Sequence, residues 1–538
     1  MSKPVRTPIG VVRAGAIATV DDRAVIRRPD TEVTTRLWVS GVDRWRVTES
    51  EPTLRRRTVG DAPVVEWSVR VPGGDVSWST FGFVPAGGSD APAVALSAHN
   101  ESTEPVAVAL VVGPVGTAEV RSDALVVDGR VAARFARSPR GLVRAATLDA
   151  LVERLAELSG PDTSGVVDGS AGGQGEWVAA VAPVAHTAKF EIVVGDGDAW
   201  GATFPIPPEA TQVATGWATH AERGLQLRPA DDAVAAAWRR ATTTLALHGT
   251  HVDAAAVPAV GAAVARLGWR EDAVELAHRA IGAQTGSGAV GETVDDTIDA
   301  VDLWASTIGL DLTEEGNAAM VLPLAGAAGW LGRGRTRRSM SPEQAARAAN
   351  ALSRAAAAMR RAGEDLAGDD LRRAAASLDP TGAGAGEAAA SAPSATGVTV
   401  ELDGCADPIA LARWVVAQVD AHVRCTTDGV DVLAGWRPDT AGAPVEVHDA
   451  DTPWGRVGYA VRWHGRRPAL LWEVADAIGP VTWRCTTIDP GWSTEEPSGE
   501  ALLAEPAGLG DLDLVEATVE MLGSPQPSDG PAEGESFA

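Results

Sequence analysis

Two hydrophobic periods divide this chain. Through the first half, short runs alternate apolar and polar positions and are bounded by Gly, Pro and Asp. Thr34–Val39, Val64–Val71, Val94–Ala98, Val106–Val112, Ala118–Arg121 and Phe190–Val194 read as strands, because successive side chains of a strand point to opposite faces. Strands at this spacing predict a large antiparallel sandwich. Ala95–Pro114 reads as two such strands joined at the polar turn Asn100–Pro105. A helical stretch, Thr147–Leu158, interrupts the pattern, and the Gly-, Ser- and Asp-rich segment Ser159–Gly175 reads as a loop.

From about Ala230 the period lengthens to that of a helix. Asp231–Leu247, Ala254–Leu267, Glu271–Gln284, Thr293–Ile308, Leu312–Leu331, Pro342–Ala362 and Asp365–Leu378 are the expected helices. Ser341 through Gln344 has the form of a capping box with Pro at the first helical position. Short links between these helices predict antiparallel hairpins. Asp379–Gly397 carries small residues and almost no large apolar ones, so it reads as a linker. Beyond it come a helix, Pro408–His422, and strands at Val445–Val447, Gly455–Trp463, Ala469–Val474 and Val481–Thr487. The middle two read as a hairpin around His464–Arg467, with Val457, Tyr459, Val461 and Trp463 on one face matched by Leu470, Trp472 and Val474.

The expected fold class is therefore multidomain α+β. An antiparallel β-sandwich covers 1–229, a helical-hairpin domain 230–378, a linker 379–397, a β-rich C-terminal domain 398–523 and a disordered tail 524–538. Charge narrows the function classes. Lys plus Arg number 46 against 72 Asp plus Glu, a net charge of −26. That field repels phosphate backbones and anionic membrane surfaces, so neither nucleic acid nor membrane is an expected partner. Met1–Val20 is broken by Arg6 and Arg13 and lacks the apolar core of a secretory signal. The longest uncharged apolar stretch, Ala318–Gly332, is shorter than the ~20 residues of a spanning helix. Cys405, Cys425 and Cys485 form neither a zinc-type spacing nor a disulfide framework. A cytoplasmic protein with no cofactor and no metal is the expectation, with a homo-oligomer left open.

Chemistry-bearing motifs are few. No nucleophile elbow, phosphate loop or dinucleotide fingerprint is present. His248, His251 and Asp253 gather at a helix–helix corner without a fourth ligand nearby. The most distinctive feature is the acid-opened helix at Thr293. Asp295, Asp299 and Asp302 share a face at i, i+4 and i+7, which reads as solvated. Glu292, Asp295 and Asp296 stand at the helix entrance, where the dipole favours a charged carboxylate.

Arg239–Leu331 resembles the helical-hairpin toroid of the six-hairpin glycosidases, the glucoamylase-like and debranching-like enzymes. The resemblance lies in a hairpin of small-residue helices, a Gln-x-Gly-type turn from Gln284 to Gly291, and an acid-opened helix ending in Leu303-Trp304-Ala305. Val445–Val474 looks like the β domain that follows such toroids, and the N-terminal half is similar in kind to the sandwich that precedes them. The resemblance implies a carbohydrate-active protein with an oligosaccharide ligand. It would hydrolyse an O-glycosidic bond with Glu292, Asp295 or Asp296 as acid or base. His251, Asp253, Gln284, Trp304, Trp463 and Trp472 are the implied substrate contacts. The alternative is a degenerate relative that serves as a binding or assembly module. One departure stands out: Asp231–Leu378 has room for about seven helices, too few to close a ring of six hairpins. The helical domain is thus expected to be a truncated toroid.

Overall fold

A computed structural model of the chain describes residues 6–86, 91–158, 175–200, 203–308, 314–378, 407–477 and 479–509. The expected linker 379–397, the tail 524–538, most of the loop 159–175 and Cys405 lie outside these. The chain is a multidomain α+β protein, as the pattern predicts. Its compact units are two: Met1–Gly224 with Ala236–Leu303 and Pro393–Val416, and Leu225–Ala235 with Trp304–Ala392 and Ala417–Ala538.

The first unit opens with two eight-stranded antiparallel sheets. Val106–Val115 shows how sequence builds them. Val106, Val108, Leu110 and Val112 point into the core between the sheets, while Ala107, Ala109 and Val111 point out. Both faces are buried because helix α1, Leu148–Ala156, lays Leu151 and Leu155 over the outer one. Thr147 caps that helix through its hydroxyl. On the other sheet the outer face is apolar and buried around Phe81, Phe83, Ala95 and Val193, and polar around Ser68, Ser77 and His99.

Helices follow: α2 (Ala210–Glu222), α3 (Asp232–His248), α4 (Val257–Arg266), α5 (Arg270–Ile281) and α6 (Val294–Thr307). The N-terminal hairpin ties this group to the sandwich. The N–H groups of Arg13 and Gly15 donate to Ala246 O and Leu247 O, serving carbonyls that the end of α3 leaves open. Arg13 also pairs with Glu271 and Asp272 at the start of α5. α4 is buried at every position.

In the second unit, α7 (Glu314–Leu331), α8 (Gly334–Ser339), α9 (Pro342–Arg361) and α10 (Asp365–Leu378) precede α11 (Pro408–His422), whose first residues belong to the first unit. The Ser341–Gln344 capping box forms as expected. Two sheets complete the unit. Gly455–His464 and Arg467–Ala475 pair in the predicted hairpin, with Tyr459 opposite Trp472 and Val461 opposite Leu470. Trp472 meets Trp483 of the other sheet at 6.5 Å between ring centres, so the sheets share a core. That sheet contains a parallel pair, Gly429–Val432 with Thr482–Cys485. Gln226–Arg228, placed by the sequence at the end of the sandwich, instead pairs with Glu446–His448 as an edge strand here. Cys425 and Cys485 are buried free thiols.

Candidate functional site

The acid-opened helix is built from its entrance. Gly291 has a φ of +65°, a conformation that favours glycine, and a Cβ there would come within 2.7 Å of Asp296. The turn aims the N–H groups of Glu292 and Thr293 at the Asp296 carboxylate, which accepts them at 3.1 and 2.9 Å. Thr293 Oγ1 accepts in return from the Asp296 N–H at 3.2 Å. This is a capping box with Asp in place of the usual Glu or Gln. The other carboxylate oxygen of Asp296 lies 3.3 Å from Arg413 Nη2.

Arg413, on α11, also donates through Nε to Asp299 Oδ2 at 2.8 Å. Burial by itself would lower this guanidinium, but the carboxylates of Asp299, Asp295 and Asp296 outweigh it and hold the group above its ordinary value. Farther along, Asp302 faces Arg266 of α4, with Oδ2 3.6 Å from Nε. Asp299 and Asp302 are only 5% and 6% exposed. The face read as solvated is a buried layer of ion pairs, because α4 and α11 each bring an Arg to it. Sequence period does not reveal this, since the partners are 36 and 114 residues away (Asp302 from Arg266, Arg413 from Asp299).

The remaining expected residues sit as follows. Glu292 is exposed and Asp295 half-buried. Gln284 donates to Gly288 O at 3.4 Å within its own turn, which Thr297 Oγ1 ties to α6 through both backbone groups of Val290. His251 and Asp253 are exposed at the α3–α4 corner, where Arg279 donates to Val252 O at 2.8 Å. Trp304 is fully buried. Trp463, half-buried beside Trp436, donates to Ala443 O at 3.0 Å, and Trp472 is buried and donates to Glu496 O. Glu292, Asp295, Asp296, His251, Asp253 and Gln284 belong to the first unit, whereas Trp304, Trp463 and Trp472 belong to the second. Among the described residues, no three His, Cys, Asp or Glu gather as for a metal ion, and no helix is long and apolar enough to cross a membrane.

One concave surface escaped the sequence reading. It is an open depression of about 590 Å³ on the polar part of the outer face of the second sandwich sheet, bordered by Glu209 and the start of α2. Strand register sets out its floor in two rows. Arg55, Ser68, Ser77, His99 and Lys189 are successive cross-strand partners in one. Arg57, Glu66, Ser79, Ser97 and Glu191 are partners in the next. At the far side Lys189 Nζ donates to both carboxylate oxygens of Glu209, just ahead of α2, at 2.7 and 2.9 Å. Desolvation, then the charge of Glu209, raises Glu191 above the usual carboxylate range. The signal was serine on three strands: Ser68, the alternate pair Ser77 and Ser79, and Ser97.

No family model matches the sequence, and no curated protein matches it either. Solved structures do. The chain is similar to a bacterial glucoamylase complexed with acarbose, with 11% identity and TM-score 0.44 over 70% of this chain and 67% of that one. It is similar to an inverting mannosidase of family GH92 from Bacteroides thetaiotaomicron, with 9% identity and TM-score 0.31 over 70% and 61%. The third is a putative kojibiose phosphorylase from the human microbiome, with 6% identity and TM-score 0.33 over 93% and 91%.

Proposed function

We propose that the chain is a non-hydrolytic relative of the six-hairpin glycosidases that binds carbohydrate, with α6 as a structural helix. The observation that carries this is the Asp296 carboxylate, which accepts two backbone N–H groups and faces Arg413. A general acid has to hold a proton, and a general base needs a lone pair turned to the substrate. An acid that accepts two amides and faces a guanidinium has its lone pairs engaged within the protein. Asp299 accepts from Arg413 and Asp302 faces Arg266, so both carboxylates are also turned to cations of the protein. Glycoside hydrolysis needs two carboxyls flanking one bond, roughly 5–9.5 Å apart.

Hydrolysis is the second reading, favoured by the exposure of Glu292 at the helix entrance. A panel of aryl glycosides and malto-oligosaccharides separates the two. The proposal expects no release of product above buffer from the wild type or from Glu292→Gln. Wild-type turnover that falls about 10²–10⁴-fold in Glu292→Gln would establish the hydrolase instead.

A further inference from the structure

We infer that the cleft on the outer face of the second sandwich sheet binds a neutral, hydroxyl-rich ligand, with the chemistry of an oligosaccharide. This goes beyond the proposed function, because it places binding on residues of the sandwich sheet and not of α6, and stands whether or not α6 is catalytic. Neighbouring strands lie about 4.8 Å apart, so Ser68 and Ser77 in one row, and Ser79 and Ser97 in the next, offer hydroxyls at near-regular steps. A serine hydroxyl can donate and accept, and Ser77, whose proton goes to Glu101, still accepts; this suits the vicinal hydroxyls of a sugar and not an apolar or a purely ionic ligand. A volume of about 590 Å³ is that of a small-molecule site.

Charge argues for neutrality. Arg55, Arg56, Arg57 and Lys189 line the cleft against Glu66, Asp75, Glu101 and Glu209, four of each sign. Several are already spent: Arg57 pairs with Glu66 at 2.5 Å, Lys189 with Glu209 at 2.7 Å, and Glu101 accepts from Ser77 at 2.5 Å. The balance is local, in a chain whose net charge is −26. A neutral ligand leaves these pairs intact and uses the serine hydroxyls that lie between them.

Calorimetry with maltoheptaose, mannopentaose and cellopentaose tests the assignment, with a heparin hexasaccharide as the anionic control. Ser79→Val with Ser97→Val removes two hydroxyls at β-compatible positions, and the melting midpoint reports on folding. The inference expects at least one neutral sugar to bind, the double variant to weaken it about tenfold or more at unchanged melting, and no displacement by heparin. Should the double variant lose its fold, Ser97→Ala alone takes its place and is expected to weaken binding about threefold or more. Failure of all three neutral sugars to bind would overturn the assignment, as would binding of heparin alone or affinity unmoved in a folded variant. Hydrolysis detected beside intact cleft binding would instead sink the proposed function and leave the cleft standing.

Discussion

Arg413 holds the acidic layer of α6 together, reaching both Asp296 and Asp299. Removing it leaves Asp299 buried without that cation, so Arg413→Ala should destabilise the protein by about 2–3 kcal/mol, less than the ~3–5 kcal/mol of a fully buried pair because Arg413 is 29% exposed. Urea unfolding measures this, and a change within error of zero would refute the structural role. The Arg was legible as a residue but not as a partner. Nothing local to α11 marks position 413 as opposite α6, and an acidic stripe is usually solvated. A second pair responds to pH. Hydrogen bonds from Arg484, at 2.7 and 2.9 Å, hold Asp428 below the usual carboxylate range. A carboxyl whose folded value is depressed adds stability above its unfolded value, and that stability is lost as pH falls through the folded value. Asp428→Asn should therefore cost stability near neutrality and flatten the acid limb of the stability–pH curve. An acid limb identical to that of the wild type would contradict the pairing.

Among the elements, strands that alternate and helices that are capped were legible, because their signals are local. The hairpin Gly455–His464 with Arg467–Ala475 keeps the register its alternation predicts, and Ser341 caps α9. Elements set by distant partners were not. Gln226–Arg228 is three residues long with no period of its own, and only the edge at Glu446–His448 makes it a strand. α2 went unread because Thr and small residues dominate it, leaving Trp217 as its buried anchor. The parallel pair Gly429–Val432 with Thr482–Cys485 depends on close backbone approach. A Cβ at Gly429 would stand 1.8 Å from Thr482 O. Gly429→Ala should push the two strands apart and lower the unfolding midpoint well beyond the few degrees of a surface change. Unchanged melting would show that the pair is not so closely set.

For the whole molecule, sandwich, helices and C-terminal sheets follow one another as the two hydrophobic periods imply. The binding surface was harder to read. Ser68 and Ser97 lie in strands read from the sequence, whereas the strand of Ser77 and Ser79, Gly74–Phe83, was not read, and no local pattern shows that the three lie side by side. Pairing brings residues as far apart as Arg55 and Lys189 to one floor. The acids that looked catalytic were visible at once, whereas the cations that engage them were not. The account therefore turns on whether sugar is bound without being cleaved. Isothermal titration of the wild type with malto-, manno- and cello-oligosaccharides, followed by product analysis of the same samples after prolonged incubation, tests this directly. The account predicts binding heat with every oligosaccharide recovered intact. Shortened products that disappear in Glu292→Gln would contradict it.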